Sequence, residues 1–312
     1  MVKIDIGRAA FSGFGVIGRN PLAVFVWALF LAVVGLLPAL ALMGTVFSSI
    51  SQMILADRHG TEPTPEMIMP MVGSLIAIIP LMMLANLVMR MVLTGAVYRA
   101  VLFPGDSGWF YMRLGARELW LALMFIVMGI IAGVVMMAML TLVIPAVFIS
   151  QSSGHHDPMM TMLMVRAGML PAYAVLIFLV VRFGLALPMT FAESKFRLLE
   201  SWSLTRGNSW RILLVLLLLL AIAFIMELAI VLIVIACVLS VAGFGAASGA
   251  WTEERFTAML GQDPTVWMHT LMPWILGFGL LGCLLGALLT VIFTAPFADI
   301  YRQLRSEPDV LI

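Results

Sequence analysis

The chain has 312 residues, 63% of them apolar and only 11% charged, where soluble domains carry roughly half and a quarter. That composition cannot solvate a water-soluble fold, and a net charge of +1 offers no clustered basic face for a nucleic acid. Cys237 and Cys283 lie inside apolar runs, which leaves neither a disulfide framework nor a cysteine zinc site; no cofactor is expected.

Residues 4–18 place Ile6, Ala10, Phe14 and Ile17 on one helical face and Arg8, Ser12, Gly15 and Arg19 on the other, the pattern of an interfacial helix. Asn20-Pro21 then supplies a capping side chain and a proline at the first helical position. The run Leu22 to Phe47 exceeds the about 7 to 15 residues of a signal-peptide core and reads as a retained first span. Past a polar loop holding Asp57, Arg58, His59 and Glu62, Thr64-Pro65 restarts a helix that runs through Pro70 and Pro80 to Tyr98-Arg99.

Asp106 is placed to cap a short amphipathic segment with Trp109, Arg113 and Arg117, from which the third span, Leu119 to Ile149, rises. About 20 apolar residues suffice to cross roughly 30 Å of hydrocarbon. Asp157-Pro158 restarts the fourth span, which runs to Phe191. The connector to Leu214 holds Lys195, Arg197, Arg206 and Arg211 with Trp202 and Trp210, cations that reach out of the apolar layer and indoles that sit at headgroup depth. In it Gly207 is suited to end one helix and Asn208 to cap the fifth span, which reaches about Val241. Asp263-Pro264 opens the sixth, which closes at Phe297 before Tyr301-Arg302.

The fold expected is all-α: one integral membrane domain, 1–312, of six spans in three hairpins, units of about 1–103, 104–199 and 200–307. Each hairpin runs from a cationic interfacial segment through a rising span, an outer loop and a Thr/Asp-Pro restart to an aromatic-Arg pair: Tyr98-Arg99, Phe196-Arg197, Tyr301-Arg302. Parallel repetition about an axis along the membrane normal would produce this grammar, as would the common need of hairpins for caps and anchors. Twelve cations (Lys3, Arg8, Arg19, Arg99, Arg113, Arg117, Lys195, Arg197, Arg206, Arg211, Arg302, Arg305) fall on one side, against Arg58, Arg166 and Arg255 on the other. The positive-inside rule makes both termini cytoplasmic.

Charges within spans come next. Counting about 1.5 Å per residue, Arg182 lies roughly 21 Å above Phe196 and Glu227 roughly 25 Å above Trp210. The two are expected to pair, either as a packing clasp or as a polar site in a substrate path, while Arg90, shallower, snorkels inward. Methionines and histidines at the outer ends (His59, His155, His156, Met159, Met160, His269) have the donor chemistry of a Cu(I) site; Met is also an apolar gap-filler. Gly129/Gly133 and Gly282/Gly286 have GxxxG spacing, for packing inside the bundle or for homodimerisation.

The run Ser201-Trp202-Ser203-Leu204-Thr205-Arg206-Gly207-Asn208-Ser209-Trp210-Arg211, with Ala295-Pro296-Phe297-Ala298-Asp299-Ile300-Tyr301-Arg302-Gln303-Leu304, resembles the membrane-domain family of glycerophosphoryl diester phosphodiesterases and its YciC-like relatives. The resemblance implies a membrane module that some relatives fuse to a phosphodiesterase barrel. Such a barrel takes about 250 residues, and the spans leave no room for one in this sequence. No P-loop, Ser/His/Asp order or paired carboxylates appear, so the expectation is a non-enzymatic scaffold or accessory subunit in envelope or lipid homeostasis. A transporter or lipid-handling channel using Arg182 and Glu227 is the alternative, and a Cu(I)-binding protein a lesser one. The partners expected are the lipid bilayer and a membrane protein or a second copy.

Overall fold

The computed structural model describes residues 4–40, 64–152, 158–247 and 264–305, with residues 42, 43, 46, 49 and 53. Among the described residues the chain is all helical, and six segments are long and apolar enough to cross a membrane: Pro21–Leu40, Val72–Leu102, Gly108–Pro145, Val165–Glu193, Ser209–Ala236 and Ile275–Arg305. The helices are α1 (Ile6–Arg19), α2 (Pro21–Leu31, continued by a π-helical turn Ala32–Leu36), α3 (Pro65–Leu102), α4 (Ala116–Ser152), α5 (Pro158–Phe183), α6 (Ala186–Glu193), α7 (Leu198–Thr205), α8 (Ser209–Ala247) and α9 (Pro264–Arg305). All three proline restarts open helices where expected, because proline costs nothing in a first turn whose N–H groups have no partner. The two residues before Pro158 and Pro264, Asp157 and Asp263, lie outside the described residues.

The chain packs as two compact units. The first comprises Met1–Val16, Thr94–Leu217 and Ile292–Ile312; the second, Ile17–Leu93 and Leu218–Val291. Neither follows the three hairpin units.

The core of the first unit is built on small residues. Ala9, Ala10, Gly13 and Val16 form the buried face of α1. Phe14, on the apolar face expected for an interfacial helix, lies on the exposed side with Phe11, ring centroids 5.9 Å apart. α1 thus buries its small residues against protein and turns its large aromatics outward. Also buried in this unit are Ala96, Val97 and Tyr98 of α3, Leu121 and Met124 of α4, and Ala295, Ala298 and Ile300 of α9. α4 packs along α5 and α6, and α7 folds back onto both.

The fourth span is not one helix. It breaks after Phe183, and α6 carries a strongly buried run, Ala186, Pro188, Met189, Thr190 and Phe191. Gly184 makes the break: a Cβ there would stand 2.6 Å from the Val180 carbonyl oxygen and 2.7 Å from the Phe297 ring. Pro188, four residues on, lacks the N–H that would bond the Gly184 carbonyl, so the sequence itself marks the break.

In the second unit Ala23, Val24, Trp27 and Ala28 of α2 are buried with Met91, Val92 and Leu93 of α3, Leu219 of α8 and Ala287 and Val291 of α9. Asn20 starts α2 through its carbonyl, which accepts from Ala23 and Val24, and not through the expected side-chain cap. Glycines admit the neighbours here: a Cβ on Gly279 would meet Leu36 at 2.8 Å, and one on Gly286 would meet Leu31 at 3.5 Å. Gly129, Gly133 and Gly282 are exposed, and a Cβ on any of them would meet no described atom within 4 Å. Of the GxxxG glycines, therefore, only Gly286 packs among the described residues.

A candidate interfacial ion-pair platform

Each aromatic-Arg pair that closes a falling span finds a carboxylate, by a different route each time. Arg99, in the last turn of α3, is 4% exposed and yet carries a charge. Its Nη2 donates to Glu118 of α4, its Nη1 donates to the Tyr111 carbonyl, and its Nε lies 3.6 Å from Asp106. Glu118, 1% exposed, accepts with its other oxygen from the Gly115 N–H at 3.0 Å. It is the third residue of α4 and reaches back to the capping position, half of a capping box. One carboxylate therefore both starts α4 and neutralises the end of α3. Gly95 makes the room, since a Cβ there would come within 3.2 Å of Glu118 Cγ and Oε1.

Arg302, at the end of α9, donates through Nη2 to Asp299 one turn earlier and through Nη1 to the Val101 carbonyl at 3.2 Å. Asp299 is 1% exposed and also accepts from Gln303 Nε2 at 2.7 Å, with Arg8 Nε 3.8 Å away. Gln303 Oε1 in turn accepts from the Asp5 N–H at 2.8 Å, and Asp5 caps α1 by accepting from the Arg8 N–H at 3.0 Å.

Arg197 Nε approaches Glu193 at 2.9 Å without hydrogen-bond alignment, a Coulombic contact, and its Nη1 donates to Glu200 at 2.8 Å. Glu193 also accepts from Arg305 and, at 3.3 Å, from the Tyr301 hydroxyl. The hydrogen bond from Arg197 holds the Glu200 carboxyl below its ordinary range, and Glu200 followed by Glu193 raises the Arg197 guanidinium. A lowered folded-state pKa means that the contribution of Glu200 is present above the ordinary Glu range and lost as pH falls through the lowered value. The thermal midpoint of E200Q is accordingly expected to trail wild type by a small margin near neutrality and to meet it on acidification, measured as unfolding midpoints across an acid pH series.

The predicted anchors divide into two kinds. Trp109, Trp202 and Trp210 are exposed, as are Arg113 and Arg206; Arg211 donates to the Ile4 carbonyl at 3.5 Å. Tyr301, by contrast, is buried, its hydroxyl spent on Glu193. Arg117 stacks on Phe103, 4.6 Å from the ring centroid, and on Phe191 at 5.8 Å. Asp106 pairs with Arg113 at 2.8 Å and is not a helix cap. The segment around Trp109 is no amphipathic helix either: Trp109, Phe110 and Tyr111 hold φ of 50°, 55° and 66°. Bulky residues reach that left-handed region at a cost of about 1–2 kcal/mol each, and the Arg99 bond to the Tyr111 carbonyl helps hold them there.

Arg182 touches the connector that follows its span. Its carbonyl accepts from Ser201 Oγ at 2.9 Å, and its guanidinium lies 4.9 Å from the Trp202 ring centroid and 5.6 Å from that of Phe178. α7 packs alongside α5 and so brings Ser201 and Trp202 to Arg182. Glu227 is exposed on α8 in the second unit, and Arg90 is exposed with Nε donating to Asn86 at 2.7 Å. Of the outer-end histidines, His59, His155 and His156 lie outside the described residues. Among the described residues no three His, Cys, Asp or Glu groups cluster to hold a metal.

The acids that organise the platform, Glu118, Glu193 and Asp299, carried no role in the sequence reading. Their signal was present: Glu193 and Asp299 stand four and three residues before an arginine, and Glu118 stands third in its helix. No protein-family model matches the chain, and no similar protein was found among curated proteins or solved structures.

Proposed function

We propose that this chain is a non-enzymatic multipass protein of a bacterial inner membrane, with both termini cytoplasmic, acting as a scaffold or accessory subunit in envelope or lipid homeostasis. The observation that carries the reading is the fate of the buried carboxylates. Glu118 and Asp299 are spent on fixing helix ends to one another, while the long spans present apolar side chains such as Ile126, Ile130, Val134 and Met137 outward. Buried charges committed in this way organise a structure. The hydrogen bond between Asp5 and Gln303 supports termini on a common side, and the cation count supports the cytoplasmic one. The resemblance to the phosphodiesterase membrane modules is consistent with a helical accessory role. The transport reading drew on a mid-depth Arg182, and Arg182 packs on an indole of the connector.

Single cysteines at Leu199 and Trp210, with Cys237 and Cys283 replaced by alanine, test the orientation. A membrane-impermeant maleimide is expected to label them only after spheroplast lysis; labelling of intact spheroplasts would reverse the topology. For the role itself, in-membrane cross-linking is expected to yield a stoichiometric membrane partner, and solute flux through liposomes carrying the purified chain alone would replace the scaffold reading with transport.

A further inference from the structure

Arg182, like the ring-stacked Arg117, differs from five arginines of the platform. Arg99, Arg113, Arg197, Arg302 and Arg305 each face a carboxylate, whereas no carboxylate among the described residues pairs with Arg182. Its Nε and Nη1 are covered and have no hydrogen-bond partner, although the residue as a whole stays partly exposed. Its position is nonetheless built. The Ser201 hydroxyl holds its carbonyl, and the Trp202 and Phe178 rings flank its guanidinium, themselves in edge contact at 5.6 Å. Phe183 lies 5.6 Å from Trp202 on another side.

The surroundings decide what the missing partner is. Phe178 is 48% exposed and Trp202 40%, so the box opens on the outer surface, within the candidate span Val165–Glu193 and at its junction with the connector. A guanidinium on a surface facing lipid needs a counter-charge, and no carboxylate among the described residues supplies one; an acceptor entering from outside would do so. Exposed aromatic rims favour a ligand that is itself partly apolar, and a hydrated soluble anion would give up water against them for nothing in return. Arg206, exposed four residues beyond Trp202, adds a second cation to the same stretch.

We propose that Arg182, Phe178 and Trp202 form a binding site for the phosphate of an anionic phospholipid, the guanidinium donating to a phosphate oxygen and the rings packing on the glycerol and upper acyl carbons. This site rests on the membrane reading above and adds a ligand to it. The site's own prediction concerns affinity: one molecule of phosphatidylglycerol per chain binds the wild type tightly, and R182Q binds it about tenfold more weakly. Native mass spectrometry of the full chain in detergent, titrated with phosphatidylglycerol, diacylglycerol and glycerol 3-phosphate, reads the result. Diacylglycerol and glycerol 3-phosphate are each expected to bind far more weakly than the lipid that combines them. Should R182Q be unstable, W202A and the stabilisation of wild type by phosphatidylglycerol over diacylglycerol, measured as a melting shift, give the same information. Unchanged phosphatidylglycerol affinity in R182Q and W202A would overturn the site and leave the membrane reading standing. Glycerol 3-phosphate binding as tight as the lipid would overturn the lipid assignment in favour of a soluble anion. Recovery of intact chain from a detergent-free soluble fraction would remove the membrane reading and the site together.

Discussion

Arg99→Ala is expected to destabilise the protein by about 3–5 kcal/mol, the range for breaking a buried ion pair from one side. The substitution leaves Glu118 buried with one oxygen on the Gly115 N–H and no counter-charge for the other. It also releases the Tyr111 carbonyl, and with it the left-handed turn at Trp109, Phe110 and Tyr111. Reversible unfolding from bicelles measures the first effect; faster proteolysis between Phe103 and Gly115 measures the second. The double variant R99M/E118M separates charge from packing. Removing both partners takes away the orphaned carboxylate, so it should recover most of the loss in stability, though not the turn. A single variant as stable as wild type would mean that the pair contributes nothing to the platform.

Gly184→Val is expected to cost about 1–3 kcal/mol, the usual penalty for forcing atoms into a packed site. Even the first carbon of a side chain would stand 2.6 Å from the Val180 carbonyl oxygen and 2.7 Å from Phe297, and neither a helix backbone nor a flanked ring retreats easily. The damage should spread, because the break at Gly184 is what lets α6 carry Phe191 into the core beneath Arg99, 5.5 Å from its guanidinium. Gly133→Val is the matched control: a Cβ there meets no described atom within 4 Å, and its effect should stay within about 0.5 kcal/mol. Melting curves of the two variants side by side read the difference. Equal losses would show that the contact at Gly184 is not a constraint.

Much of the architecture was legible because lipid simplifies the code. A long apolar run in a multipass chain is a helix, and Thr64-Pro65 and the prolines at 158 and 264 mark where helices begin whatever they pack against. Gly207 announced its turn correctly, with φ of 91°, since left-handed backbone is what glycine permits most cheaply. Hidden were the features that depend on partners. Helices apolar all round carry no periodicity to mark the inward face, so the bundle role given to Gly129 and Gly133 had nothing to correct it. On α1 the apolar stripe marked a face for lipid, and nothing in it marked Ala9, Ala10 and Gly13 as the face that packs on protein. That Ser201 and Trp202 would lie against Arg182 was hidden too, because it depends on how α7 packs on α5. Glu118 looked like one more interfacial acid until α3 brought Arg99 against it.

The hydrogen bond from Asp5 to Gln303 joins residues 298 positions apart, with Arg8 beside Asp299 to reinforce it. A ribosome adding about 5–20 residues per second needs about 15–60 s to make that much chain. For that interval the opening helix has been released and its latch has not yet been synthesised. Its small-residue groove must wait, shielded by headgroups or by the insertion machinery, until the closing helix arrives. The contacts of Asp5 and Arg8 with the end of α9 form only once residue 303 has been made, and a truncated product lacking those turns would lose them.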